Sequence, residues 1–250
     1  MDKKAKIGIF DSGIGGVTVL NEIIKILPYE NYIYYSDSKN NPYGDKSEEQ
    51  IKDICNNIVK YLLNNNCKII VIACNTASAI AAEYLRNKYI DVPIIAIEPA
   101  YKMVHDYAYD KSTLIMATKG TINSEKFNKL YNKYNNNKTY ILECVGLADL
   151  IEKSDDVEIN NYLKKNLSIY RGKVENVVLG CTHYPLIENE IKEALGNVQF
   201  FNGAKRLAEH LKSVLLERNL ESENDGNIQF IDSQNSKYKE ERFYKILRKK

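Results

Sequence analysis

The strongest constraint on this chain is a repeat at a fixed offset. Gly120, which closes TLIMATKG (Thr113–Gly120), stands 107 residues after Gly13, which closes IGIFDSG (Ile7–Gly13). Cys144, at the end of TYILEC, stands 107 residues after Asp37, at the end of YIYYSD. Cys181 in NVVLGCTH stands 107 residues after Cys74 in IIVIACNT. Three strand ends sharing one offset without a gap predict two copies of one folding unit. The copies cover roughly 1–97 and 98–207, and the remainder is expected to pack back on the first.

The unit reads as α/β. Apolar runs at Lys6–Phe10, Asn31–Tyr35, Ile69–Ala73, Pro93–Ile97, Thr113–Ala117, Thr139–Leu142, Val174–Leu179 and Val198–Phe201 alternate with helical patterns. Runs apolar throughout mark strands buried on both faces, as in parallel sheets. Ser47 and Gln50 form a capping box before a helix that places Ile51, Ile54, Cys55, Ile58 and Leu62 on one face. Pro28 ends the first helix, whose inward residues are Leu20, Ile23, Ile24 and Leu27. Asn64–Asn66 and Asn135–Asn137 read as turns. The tail offers a helix, a short strand (Asn227–Ile231) and a Lys-rich amphipathic helix. The expected architecture is two pseudo-symmetric parallel-sheet α/β domains facing each other across a cleft. Residues 1–97 with 208–250 form the first domain and 98–207 the second.

Charge removes several function classes. Lys+Arg number 35 and Asp+Glu 33, a net charge of +2, so nothing argues for nucleic acid or an anionic membrane as partner. No apolar run approaches the roughly 20 residues of a membrane span, and the start, MDKKAKIGIFDSG, has no secretory apolar stretch. A cytoplasmic protein is expected. Its five Cys, an odd count without a CxxC pair, read as reduced thiols rather than a disulfide framework.

Ligands of open parallel sheets bind beyond the carboxyl ends of the strands. Two facing copies would enclose a site built from Asp11–Gly16, Asp37–Gly44, Cys74–Thr76, Thr118–Thr121, Glu152 and Cys181–His183. Each copy supplies one Cys directly after a buried strand and before a helix. A helix N-terminus favours thiolate, so lowered thiol pKa values are expected there. Two sulfurs related by an approximate twofold would approach a bound molecule from opposite sides. That suits inversion at one carbon: one thiolate removes a proton from one face, and the other thiol returns a proton to the opposite face. Preorganised donors must then stabilise the carbanion. Asn75, Thr76, Thr182 and Ser12 are neutral donors, and no Arg lies in these motifs. Asp11 and His183 are each placed to move a proton to or from a thiol. Glu152 and Asp37 are candidates to orient His183 or to meet a ligand ammonium.

GIFDSGIGG, the PYG within Asn41–Gly44, ACNTASA, IEPA (Ile97–Ala100), ATKGT (Ala117–Thr121) and GCTHYPL resemble, in order from Lys6 to about Leu215, the motif set of the cofactor-independent glutamate racemases of the aspartate/glutamate racemase superfamily. The resemblance implies interconversion of L- and D-glutamate for bacterial peptidoglycan synthesis, without cofactor or metal. It implies that Cys74 deprotonates the D-isomer and Cys181 the L-isomer. Asp11, Ser12, Tyr43, Gly44, Asn75, Thr76, Thr182 and His183 become substrate-contacting or assisting positions. Thr118 and Thr121 join the substrate-binding set, and Asp11, His183 and Glu152 the catalytic one. A homodimer is common in such proteins. This chain departs from the family in having Ser36-Asp37-Ser38 for Gly-Asp-Thr, and Lys39 and Asn40 where an Arg is common.

Plainer readings compete. Buried Cys usually serve packing, and that reading is adopted for Cys55, Cys67 and Cys144. Asp11 alone would be a helix cap. DSGIGG lacks both the P-loop Lys and the dinucleotide spacing. His105 and His210 lie in helical patterns away from the motifs, and Lys245–Lys250 reads as a solvated helix face. Rival functions are an aspartate or other amino-acid racemase, a non-catalytic amino-acid-binding protein, a metal site on Cys74, Cys181 and His183, and a redox pair. Pyridoxal chemistry needs a Schiff-base Lys, and the two strand-end segments that carry the Cys, Cys74–Thr76 and Cys181–His183, supply none.

Overall fold

A computed structural model describes residues 2–98, 100–223 and 226–247. The first half runs β1 (Lys6–Asp11), α1 (Val17–Ile26), β2 (Tyr32–Ser36), α2 (Glu48–Asn64), β3 (Cys67–Ile72), α3 (Asn75–Lys88) and β4 (Ile94–Ala96). The second runs α4 (Tyr101–Ala108), β5 (Thr113–Ala117), α5 (Lys119–Ile122), α6 (Glu125–Tyr134), β6 (Thr139–Glu143), α7 (Leu147–Lys153), α8 (Asp156–Leu167), β7 (Asn176–Gly180), α9 (Glu188–Leu195) and β8 (Gln199–Phe201). The tail forms α10 (Ala204–Glu217), β9 (Ile228–Asp232) and α11 (Lys237–Leu247).

Two parallel sheets result, in the orders β4-β3-β1-β2-β9 and β6-β5-β7-β8. The second order repeats β2-β1-β3-β4 of the first, so both copies share one topology. Helices cover both faces of each sheet. Ile7, Ile9, Ile69 and Val71 pack toward α1 and α10, while Phe10, Ile70 and Ile72 pack toward α2 and α3. That alternation along strands with no polar face is why the strand runs are apolar throughout. The capping box forms: the Gln50 amide donates to Ser47 Oγ, and the Ser47 amide to Gln50 Oε1. Asn66 and Asn137 take left-handed φ values of 60° and 61° in the expected turns, a conformation Asn tolerates better than most residues.

The gapless register fails at one strand pair. Tyr32 and Thr139 hold equivalent places, as do Ile69 and Asn176, which keeps the offset of 107. Their shared partners on the central strands are Ile7 and Thr113, an offset of 106. The extra residue of the second copy falls between the end of β5 and Gly120. The counterpart of Asp11 is therefore Ala117, and each accepts the equivalent backbone bond, from Asp37 N and from Cys144 N respectively.

The tail returns to the first half as expected. β9 pairs with β2, α10 packs on α1, and Phe243 of α11 packs at a tilt against Tyr34 and Phe230 with ring centroids 4.8 and 4.5 Å away. Lys245 is exposed, whereas Arg248 to Lys250 of the cationic run lie outside the described residues, as does Pro99 of the IEPA motif. His210 is exposed, and the His105 side chain is partly so. Among the described residues, no helix is long and apolar enough to cross a membrane.

Candidate active site

Cys74 caps α3: its sulfur accepts from the Ala77 amide at 3.5 Å and lies 3.9 Å from Ser12 Oγ. The turn carrying Ser12 is organised by Asp11, whose Oδ2 accepts from the Gly16 and Gly13 amides at 3.0 and 3.3 Å. Asp11 also crosses to the second half, accepting from Thr182 Oγ1 at 3.2 Å. The capping reading of Asp11 and its placement at the site are therefore both true. The glycines serve close approach: a Cβ on Gly13 would overlap the Glu152 carboxylate, and one on Gly15 would lie 2.5 Å from His183 Nδ1. DSGIGG is thus the surface against which the second half's polar residues dock.

On the opposite side, Cys181 directly follows β7 and is followed by a 3₁₀ turn (Tyr184–Ile187) containing Pro185, not directly by an α-helix. Its sulfur lies 3.6 Å from His183 Nδ1. His183 Nε2 is 2.7 Å from Glu152 Oε1, which also accepts from the Ile14 amide at 2.6 Å. Thr182 O accepts from Thr18 Oγ1 at 3.1 Å, a further bond between the halves. Thr76, Thr118 and Thr121 form a hydroxyl cluster, with 2.8 Å between Thr76 and Thr118 and 3.0 Å between Thr118 and Thr121.

A cavity of about 50 Å³ lies between these groups. From the first half, Ser12, Tyr43, Gly44, Cys74, Asn75 and Thr76 line it; from the second, Thr118, Cys181, Thr182 and His183 do so. Four expected site residues stand behind the wall. Asp11 supports Ser12, Thr121 supports Thr118 and Glu152 holds His183. Asp37 does not orient His183; its carboxylate accepts from Tyr43 at 2.6 Å and from Asn40, fixing the PYG segment instead. The carbonyl oxygen of the buried Asn75 side chain has no hydrogen-bond partner and is free for a ligand donor.

Sequence reasoning missed several participants. Cys144, read as packing, also lines the cavity, as does Asp149, which accepts from Asn41 of the expected Asp37–Gly44 segment at 3.2 Å. Tyr34 donates to Gly13 O at 2.8 Å beneath the glycine turn. Lys239 reaches Glu152 Oε2 at 3.1 Å. Cys144 was detectable by its match to Asp37 in the repeat; Lys239 carried no sequence signal.

Burial dominates the electrostatics. It pushes the Cys74 thiol up to about 12, and nearby Asp11 adds to the shift. The Ala77 amide and Ser12 offset only part of this, so the expected lowering by the helix start is overturned at Cys74. Burial opposes charge on His183, but hydrogen bonds to Cys181 and Glu152 outweigh it and hold the imidazole well above its usual pKa. Burial likewise opposes charge on Glu152, yet His183, Lys239 and the Ile14 amide bring it down to about 2. Asp11 is raised by burial, with His183 opposing. The second half therefore holds an imidazolium–carboxylate pair, with Nε2–H donating to Glu152 and Nδ1–H directed at Cys181. Among the described residues, no group of three or more His, Cys, Asp or Glu is arranged to hold a metal ion.

A family model described as Asp/Glu/Hydantoin racemase matches residues 15–211. The glutamate racemase of Clostridium novyi is 46% identical over 218 residues, covering 85% of this chain and 84% of that protein. That of Clostridium perfringens is 42% identical over 238 residues, 92% of each chain. Among solved structures, the glutamate racemase of Francisella tularensis in complex with D-glutamate matches with a TM-score of 0.82 at 29% identity, over 98% of this chain and 94% of that one.

Proposed function

Because this chain belongs to the Asp/Glu/Hydantoin racemase family and is an isomerase, we propose that Cys74 and Cys181 interconvert L- and D-glutamate as a two-base pair, with no cofactor. The supporting observation is that two thiols at equivalent strand ends of the two halves line one cavity. In the D-to-L direction, Cys74 thiolate takes the α-proton and Cys181 thiol donates to the other face; the reverse direction exchanges these roles. The thiolate at Cys74 is costly in the free site. Bound substrate must supply compensating contacts, and its ammonium is the natural source of charge. His183, kept cationic by Glu152, stabilises the Cys181 thiolate when that sulfur is the base, and replaces the proton when it is the acid. Ser12, Asn75, Thr76, Thr118 and Thr182 supply neutral donors for the two carboxylates.

The cavity of about 50 Å³ is narrow for an amino acid bearing two carboxylates. Entry therefore requires the two halves to part along the Asn41–Asp149 and Asp11–Thr182 contacts. We place the enzyme in the bacterial cytoplasm, acting on free glutamate as a homodimer and supplying D-glutamate to peptidoglycan synthesis.

The test is incubation of either enantiomer in deuterated water without added cofactor. The inverted product should carry deuterium at the α-carbon. Inversion without solvent deuterium removes the two-base scheme, and faster inversion of aspartate than of glutamate removes the substrate assignment.

A further inference from the structure

α11 touches both halves of the molecule. One face is fastened to the first sheet by Phe243, which is fully buried against Tyr34 and Phe230. The other face grips α7 of the second half. Arg242 donates from Nη1 to Glu152 O at 2.5 Å and from Nη2 to Ile151 O at 2.6 Å. These carbonyls belong to the last turn of α7, where a cation meets the negative end of the helix dipole. Lys239 Nζ lies 3.1 Å from Glu152 Oε2 and donates to Ser38 Oγ at 2.7 Å; Ser38 in turn donates to Asp232 of β9. Tyr238 adds a bond to Ser154, just beyond α7. The backbone and the carboxylate of Glu152 are thus both tied to the first half through a helix that does not line the substrate cavity.

We propose that Lys239 and Arg242 are positioning residues, which hold Glu152 on His183 and thereby set the geometry of the Cys181 side. This rests on the reading of Cys181 and His183 as one acid–base side of a racemase. A carboxylate that only needed a charge partner would be satisfied by His183 and the Ile14 amide. The two added cations restrict where Glu152 stands, and Nε2 of His183 must follow. The charged and titratable groups facing the pair are Asp11 from β1, Tyr34 from β2, Asp149 on α7 with Lys153 beside it, Cys181, and the two cations of α11.

The experiment compares Lys239→Met and Arg242→Met with Lys239→Arg and Arg242→Lys in the full chain. The methionine variants should lower kcat about 10-fold and move KM less than about twofold, the signature of a misplaced catalytic group. Amide exchange in residues 147–153 should quicken. The acid limb of kcat should move to higher pH in Lys239→Met, because Glu152 loses a cation that favours its charged form. The conservative variants should restore kcat to within about threefold. Methionine variants with kcat within about twofold of the parent and unchanged exchange in α7 overturn the proposal. So does a kcat loss that tracks a fall in Tm and is not rescued by Arg or Lys. If the parent protein fails to racemise glutamate, the reading of the site is wrong instead, and amide exchange in α7 still decides whether the grip exists.

Discussion

The two sulfurs stand at equivalent ends of equivalent strands, yet their surroundings differ. Cys74 caps a regular helix, touches Ser12, and is pushed up to about 12 by burial and Asp11. Cys181 is followed by a proline-containing turn and has a cationic imidazole 3.6 Å away. By the offset of 107 in β3 and β7, the counterpart of His183 is Thr76 and that of Thr182 is Asn75. The one-residue slip in β1 and β5 gives Asp11 the partner Ala117, so the second half has no matching carboxylate. The repeat conserves where the sulfurs sit and not how their protons are managed. A symmetric scaffold thus suits a nearly symmetric substrate pair, while each thiol is served by different chemistry.

The sharpest way to break this comparison is to remove one sulfur at a time. Cys74→Ala and Cys181→Ala should each lower racemisation about 1,000-fold or more, since each deletes an obligatory acid–base group. Enantiomers have equal free energy, so kcat/KM must fall by the same factor in both directions whichever sulfur is lost. The difference between the sides emerges in proton exchange. In deuterated water, Cys181→Ala should still wash the α-proton out of D-glutamate without inverting it, and Cys74→Ala should do so only for L-glutamate. Exchange of the same enantiomer by both variants would show that the sulfurs do not face opposite sides of the carbon.

The carboxylates of the two halves should act on stability with opposite sign. Glu152 is held near 2 against an ordinary 4.5. A folded pKa below the unfolded one contributes stability that is present above about 4.5 and lost as pH falls toward 2. The magnitude is about 3 kcal/mol at neutral pH. Glu152→Gln should abolish that acid slope and lower neutral stability by a similar amount in urea unfolding. Asp11 is raised in the fold. Its stability contribution is present below 3.8 and lost as pH rises through the folded pKa, so Asp11→Asn should raise neutral stability. Equal slopes in the two variants would mean that burial treats the two groups alike.

The fold was legible because its signals are physical and local. Strands buried on both faces must be apolar throughout, and the Ser47–Gln50 cap and the left-handed Asn66 and Asn137 mark element ends. The repeat made the two Cys visible as a pair. The slip at β1 was invisible because a chance glycine match at Gly13 and Gly120 hid one inserted residue. The thiol environment was misread at Cys74 because a helix start is local, whereas desolvation depends on everything packed around it. Asp37 reads from sequence as orienting His183 or meeting a ligand ammonium, whereas its carboxylate accepts from Tyr43, only six residues away, and does not reach His183. Lys239 and Arg242 were beyond sequence reading, since they act through contacts with residues about 90 positions earlier.

A finer test exchanges the unlike partners. His183→Asn removes the cation beside Cys181 and should lower kcat about 100-fold, within the range of general acid–base assistance. The loss should be greater at high pH, where solvent supplies fewer protons to that sulfur. Thr76→Val alters the equivalent position on the Cys74 side, where the hydroxyl bonds Thr118 and Thr121 rather than a thiol. It should cost less than about 10-fold and act mainly on KM if, as proposed, Thr76 holds the substrate and transfers no proton. Equal losses in kcat from the two changes would mean that Thr76 serves Cys74 as His183 serves Cys181. The chemistry would then repeat along with the fold.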